Sequence, residues 1–141
     1  MSYQLHHAII VTVRSDKDGK HWIEIAHEKA TEIFGRSGSP RSLCPIAQVT
    51  PPTTGCMNNV RSFLIAPDGS GEGCEESDTG NAARAEFIAW MRDQEYGFDG
   101  SDWEGSPLQW VEVAFGEEEY RPPKIVAEYA DPARRDTDER L

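Results

Sequence analysis

The first strand-like segment, Leu5–Val13, is apolar on both faces, and this feature constrains the fold more than any other. Side chains along a strand alternate between two faces. One face of this segment carries Leu5, Ile9, Val11 and Val13, and the other carries Ala8 and Ile10. A strand with two apolar faces normally lies inside a sheet that is covered on both sides. The sequence therefore predicts a central strand, and it requires a cover for each face.

The rest of the chain predicts two helices and three further strands. One more short strand near the end of the chain is a further possibility. The order is a helix over 20–34 that Gly35 ends, strands over 43–50 and 60–66, a helix from Asp78 or Thr79 to 94, and a strand over 108–115. This order is typical of the ferredoxin-like β-α-β-β-α-β split sandwich, an α+β fold with an antiparallel sheet and two helices on one face. The first and third strands are then central. Pro45 in the second strand and Glu112 in the fourth fall on edges, where each is tolerated.

The length of 141 residues is that of one domain with a single core. We expect an α+β domain over 1–116, followed by a charged, proline-containing tail over 117–141. Residues 125–129 in that tail are suited to a short fifth strand.

The charge balance excludes some partners. The chain has 14 Lys and Arg against 25 Asp and Glu, a formal net charge of −11. Such a charge repels a phosphate backbone, so we expect no general affinity for nucleic acid. It fits a soluble protein, and it also fits a surface that resembles polyanionic DNA. The first residues lack the basic and apolar regions of a signal peptide, and no run reaches the ~20 apolar residues of a membrane span.

No arrangement of residues predicts catalysis, a metal or a cofactor. His6 and His7 are adjacent on a strand, so they point to opposite faces and cannot grip one ligand together. The glycine-rich segment 69–73 continues into acidic residues, whereas phosphate-binding loops continue into Lys or Thr. Cys44, Cys56 and Cys74 form no metal-binding pattern, and we expect reduced thiols.

A few arginines are placed where they could bind an anion. Arg84 lies close to the apolar stripe of the second helix, so its guanidinium needs an acceptor. One interpretation is a pair with Asp78, Glu75 or Glu86; the other is a fork for a phosphate or carboxylate. Further candidates for an anionic, nucleotide-like ligand are the polar residues Arg41, Asn59 and Arg61, and the base-stacking aromatic residues Phe63, Tyr96, Trp103 and Trp110.

The second sheet face leaves two interpretations open. Ala8 and Ile10, with matching residues of the third strand, would form an apolar patch, and such patches usually mark interfaces. We favour a symmetric homo-oligomer. The alternative is that residues 124–130 of the tail fold back over this face in the same chain.

Three segments carry a resemblance to known proteins. The segments 2–12 (SYQLHHAIIVT), 61–70 (RSFLIAPDGS) and 110–113 (WVEV) resemble small accessory proteins of tailed phages and prophages. The resemblance implies an accessory product that acts in the host cytoplasm, and many such products counter host immunity. It supplies no catalytic residues.

Three functions follow as hypotheses. The first is a non-enzymatic anti-defence protein, a sponge that sequesters a nucleotide-derived immune signal in pockets between subunits. The second is an acidic inhibitor that mimics nucleic acid towards a host defence protein, through Glu72, Glu75, Glu76 and Asp78. The third is a hydrolase of the same signals. We favour the first, because no catalytic arrangement is present.

Overall fold

The chain forms an α+β structure with a five-stranded antiparallel sheet and two helices. The computed structural model describes residues 5–13, 21–36, 45–57, 59–69, 75–94, 108–116 and 122–129, except for the side chains of residues 75–77. The elements in chain order are β1 (Leu5–Val13), α1 (Trp22–Arg36), β2 (Thr53–Thr54), β3 (Arg61–Ile65), α2 (Glu75–Arg92), β4 (Gln109–Gly116) and β5 (Lys124–Glu128).

The strands lie in the order β2-β3-β1-β4-β5, and every neighbouring pair is antiparallel. The central position of β1 confirms the prediction from its two apolar faces. Ile9 of β1 pairs with Ile65 of β3 on one side and with Glu112 of β4 on the other. This register places Phe63 and Trp110 on either side of Val11, on the same sheet face.

The core lies between this face and the two helices. The predicted apolar stripe of α1 is buried in full: Trp22, Ile23, Ala26, Ala30, Ile33 and Phe34. In α2, Phe87 contacts the rings of Phe34 and Phe63, with centroid distances of 6.2 and 6.4 Å. Among the described elements, α1 comes within 8 Å of β1 and β3 between Cα atoms, whereas α2 reaches the strands through side chains. The greater distance of α2 from the sheet leaves room for a cleft.

The end of α1 and the beginning of α2 differ from the prediction. Helix α1 runs to Arg36, so Gly35 does not end it, and α2 begins at Glu75 rather than at Asp78 or Thr79. Gly35 has no positive φ and nothing within 4 Å of the place of a side chain, so it is accommodated inside the helix. Asp78 and Thr79 therefore lie within α2 and do not cap it.

The second strand is displaced from its predicted position at 43–50. In the described part of that range, Val49 forms an isolated bridge to Ile65, with backbone hydrogen bonds from Thr50 N to Leu64 O and from Ala66 N to Gln48 O. Regular pairing with β3 occurs at Thr53–Thr54. Proline has no N–H to donate to a ladder, and the intervening Pro51-Pro52 pair interrupts the hydrogen bonding. The edge position predicted from Pro45 is therefore kept, but the edge is irregular.

The fourth strand is not an edge. Strand β5, predicted over 125–129, forms over Lys124–Glu128 and pairs with β4 on its outer side. Glu112 therefore lies between two strands and is buried, where an exposed edge position was predicted. A strand from the predicted tail is thus part of the sheet.

The face of the sheet opposite the helices is apolar, and the described residues place no element over it. Its exposed large hydrophobic side chains are Ile10 (41%), Phe115 (40%) and Ile125 (60%). The half-buried Leu64, Val111 and Val113 lie between them. On the same face, Thr12 and Ser62 share a hydrogen bond of 2.8 Å across β1 and β3.

Candidate functional site

A cleft of about 470 Å³ lies on the helix side of the sheet, between α2 and strands β4 and β5. Its helix wall is formed by Asn81, Arg84, Ala85, Ile88, Ala89 and Arg92, and its sheet wall by His7, Glu112, Val126 and Ala127. The helix residues recur at spacings of three and four, so they share one face of α2. The volume is in the range of small-molecule sites, about 300–1,000 Å³.

Two local features create this cleft. Ala85 and Ala89 are small side chains on the part of α2 that faces β5, so they leave the space unfilled. The pairing of β4 with β5 shifts between Glu112 and Val113, which leaves Val126 without a paired residue on β4. Irregularities of this type redirect side chains, and Val126 lines the cleft beside Ala127.

A network of charged side chains runs from the buried side of α2 to the cleft. Arg84, which is 3% exposed, donates from Nη1 to Asp68 Oδ2 at 3.0 Å and from Nη2 to Asn81 Oδ1 at 2.6 Å. Its Nε is buried without a hydrogen bond, 3.8 Å from Oε2 of Glu112. The same oxygen lies 3.1 Å from Nδ1 of His7, whose side chain is 20% exposed.

The space for this network depends on Gly80. A Cβ atom built on Gly80 would overlap Oδ2 of Asp68 and would also approach Nη1 of Arg84 at 3.3 Å. Glycine at this position therefore allows the carboxylate to approach the helix backbone closely.

The other end of the cleft has a different character. The guanidinium of Arg92 lies over the ring of Trp110, with Cζ 5.3 Å from the ring centroid, which is a cation–π contact. Within the described part of the chain, no carboxylate pairs with Arg92. Arg84 and Arg92 are eight residues apart on one helix, about 12 Å along its axis. The cleft therefore has a charge-paired end at His7 and Glu112 and a cationic end at Arg92.

The structure does not bring the predicted ligand-binding residues together. Arg84 lines the cleft, and its Nη atoms bind Asp68 and Asn81 rather than the predicted partners Asp78 and Glu86. The side chain of the third predicted partner, Glu75, lies outside the described residues. Glu86 pairs instead with Arg36 of α1. The guanidinium of Arg84 is thus largely occupied.

The other candidates among the described residues do not line the cleft. Arg61 is 3.7 Å from Glu24 of α1, and Asn59 is exposed in a turn with φ of 53°, a left-handed conformation that asparagine tolerates. Phe63 is a core residue, in edge contact with the ring of His27. Trp110 is buried beneath Arg92. Arg41, Tyr96, Trp103, Cys44 and Cys74 lie outside the described residues.

Sequence reasoning missed His7, Glu112, Asp68 and Arg92. His7 and Glu112 are 105 residues apart, and only the register of β1 with β4 places them on one face. The sequence correctly indicated that Arg84 needs an acceptor. Its carboxylate acceptor, Asp68, comes from the loop after β3, and its amide acceptor, Asn81, comes from α2. His6 and His7 do point to opposite faces, as predicted: His6 contacts Phe115 on the open face, with ring centroids 5.3 Å apart.

The arrangement can bind an elongated polar ligand. The apolar side chains of Ile88, Val126 and the alanines offer contact surface, while Arg92 and His7 offer polar groups at separate places. No cluster of three or more His, Cys, Asp or Glu side chains suited to a metal ion occurs within the described ranges. Likewise, no helix in the described ranges is long and apolar enough to cross a membrane.

Comparisons of the whole chain with protein-family models, with curated proteins and with solved structures find no match.

Proposed function

We propose that this chain binds and sequesters a small, anionic, nucleotide-like ligand in the cleft between α2 and β5, without transforming it. The observation that carries this proposal is the cationic end of the cleft, where Arg92 lies over Trp110 without a described carboxylate partner. A guanidinium held in this way is suited to a phosphate, with which it forms paired hydrogen bonds. The adjacent alanine and valine side chains offer apolar contact surface for a base.

The biological setting of the proposal comes from the sequence. With the resemblance to phage accessory proteins, the ligand would be a nucleotide-derived immune signal and the chain an anti-defence sponge in the host cytoplasm. Arg92 then replaces Arg84 as the anion contact, because Arg84 is already bound to Asp68 and Asn81.

Calorimetry and thermal-shift measurements against a nucleotide panel test the proposal. The panel contains adenosine 5′-monophosphate, cyclic di- and trinucleotides and cyclic ADP-ribose isomers. We expect at least one member to bind and to be recovered intact, by mass, after heat denaturation of the complex. Absence of heat and of thermal shift with every member would refute binding and favour the acidic inhibitor. Recovery of an altered ligand would favour the hydrolase.

A matched pair of variants locates the site. Arg92→Gln should weaken binding of the panel member at least tenfold, because a charge-assisted hydrogen bond contributes about 1.5–3 kcal/mol. Arg36→Gln removes the same charge from the last turn of α1, outside the cleft, and should leave binding unchanged. Equal effects of the two variants would show that only net charge matters.

We also infer that the fold is the ferredoxin-like split sandwich with one added strand. Support comes from the order β4-β1-β3-β2 within the sheet, from the antiparallel pairing of all neighbours and from the positions of α1 and α2 after β1 and β3. In this interpretation β5 is an addition at the β4 edge. An experimental structure in which α1 and α2 lie on different sheet faces would contradict it.

We further propose that copies of the chain associate through the open sheet face. Support comes from the exposure of Ile10, Phe115 and Ile125 on that face. Sedimentation should detect an oligomer that Ile10→Lys dissociates, whereas Met57→Lys, at an exposed residue remote from the sheet faces, should not. A monomer at all concentrations would refute the oligomer.

A further inference from the structure

The residue at the charge-paired end of the cleft, His7, has one ring nitrogen engaged and one available. Nδ1 lies 3.1 Å from Oε2 of Glu112. Nε2 has no hydrogen-bond partner among the described residues, and it is absent from the buried unpartnered atoms, which include Nε2 of His27. Nε2 of His7 is therefore accessible, and His7 lines the cleft.

Glu112 determines which nitrogen of His7 carries the proton. An ionised carboxylate only accepts hydrogen bonds, so the short contact requires Nδ1 to be the donor. The positive charge of Arg84, 3.8 Å from the same oxygen, stabilises the charge of Glu112. In the neutral imidazole, the proton on Nδ1 leaves Nε2 with a lone pair. Neutral His7 thus presents an acceptor to the cleft.

The charges around His7 favour the same polarity. Arg84 is one guanidinium between two carboxylates, Asp68 and Glu112, so these three groups carry a formal excess of one negative charge. An incoming phosphate would be repelled at this end. An N–H or O–H group, with its partial positive charge, would be attracted.

We propose that Nε2 of His7 accepts a hydrogen bond from an N–H or O–H group of the ligand, and that His7 thereby determines specificity at this end of the cleft. The inference rests on the proposed function and refines it. The ligand carries its phosphate at Arg92 and a donor group at His7, as in a nucleotide with an amino-bearing base or a free ribose hydroxyl. A ligand with anionic groups at both ends would be rejected.

The tautomer is testable in the protein without ligand. Nitrogen-15 correlation spectra of the imidazoles, read at the alkaline end of the titration, distinguish a protonated Nδ1 from a protonated Nε2. We expect His7 to carry its proton on Nδ1, and Glu112→Gln to weaken this preference. A proton on Nε2 in the wild-type protein would overturn the inference, whatever binds in the cleft.

Ligand analogues test the hydrogen bond itself. The probes are adenosine 5′-monophosphate, its 2′-deoxy analogue, purine riboside 5′-monophosphate, which lacks the 6-amino group, and inorganic phosphate. His7→Phe should weaken adenosine 5′-monophosphate about five- to tenfold. It should not affect the analogue that lacks the recognised donor, nor inorganic phosphate. His7→Gln, which keeps an acceptor, should recover part of the affinity.

The control is His6→Phe, on the adjacent residue and the opposite sheet face. It should leave all affinities unchanged, and thermal melting verifies that each variant is folded. If neither these probes nor any other member of the nucleotide panel binds the wild-type protein, the proposed function fails and this inference fails with it. If the probes bind and His7→Phe binds adenosine 5′-monophosphate as tightly as the wild type, the inference alone fails.

Discussion

Removal of the buried guanidinium is the most informative perturbation of this structure. Arg84→Met keeps the length of the side chain but removes its charge. It leaves Asp68 without a bond of 3.0 Å, Asn81 without one of 2.6 Å and Glu112 without its cation at 3.8 Å. Removing one partner of a buried ion pair typically costs about 3–5 kcal/mol.

This loss is large relative to the stability of a single domain. Domains unfold with a free energy of about 5–15 kcal/mol, so the variant should lose roughly a fifth of it or more. For a chain of this size the melting temperature should fall by roughly 10–20 °C. Urea denaturation followed by circular dichroism measures the free energy directly.

Two further variants separate pairing from general charge effects. Arg36→Met removes a guanidinium that is 52% exposed and paired with Glu86 at the surface, so it should cost less than about 1 kcal/mol. The triple variant Arg84→Met, Asp68→Ala, Glu112→Met removes all three charges and should recover at least half of the loss. The reasoning would be refuted by an Arg84→Met cost no larger than that of Arg36→Met, or by a triple variant as unstable as the single one.

Three other predictions follow from individual contacts. In urea denaturation, Gly80→Ala should destabilise the fold because the added Cβ overlaps the Asp68 carboxylate. Gly35→Ala, whose Cβ meets nothing within 4 Å, should stabilise the fold by about 0.5–1 kcal/mol. A change of the same sign in both variants would contradict this packing. Phe63→Ala should cost about 3–5 kcal/mol of unfolding free energy as a core truncation, and a stable variant that only loses ligand would show a binding residue instead. Amides of β5, at the sheet edge, should exchange with deuterium faster than those of the central β1, and equal protection would contradict the strand order.

The sequence predicts those features that depend on local pattern. The alternation in Leu5–Val13 predicts a central strand, and the stripe from Trp22 to Phe34 predicts a buried helix face; the structure confirms both. Helix ends and the position of β2 were less predictable. Alternative end points of a helix differ little in free energy, and the proline pair 51–52 shifts the regular strand pairing. The second strand does lie at an edge of the sheet, as predicted, although Pro45 itself lies outside it.

The cleft could not be predicted, because it depends on contacts between distant segments. The sequence predicts Glu112 at a sheet edge, whereas β5 pairs outside β4, and only the pairing of β1 with β4 brings His7 to Glu112. The shift that directs Val126 into the cleft leaves no trace in the composition of the strand. The sequence did indicate a buried polar site at Arg84, because a guanidinium beside an apolar stripe of a helix must find hydrogen-bond acceptors.

The cost of the network bears on why it is present. Buried ion pairs are often no more stabilising than apolar side chains of similar volume, so stability alone gives little reason to bury Arg84, Asp68 and Glu112 together. If the triple variant is nearly as stable as the wild type, the network contributes to a property other than the stability of the fold. One effect of the network at the cleft, which Arg84 and Glu112 also line, is the orientation of His7, because Glu112 holds Nδ1 and leaves Nε2 towards the cleft. A triple variant that folds well and yet binds adenosine 5′-monophosphate no better than His7→Phe would therefore connect the buried charges directly to ligand recognition.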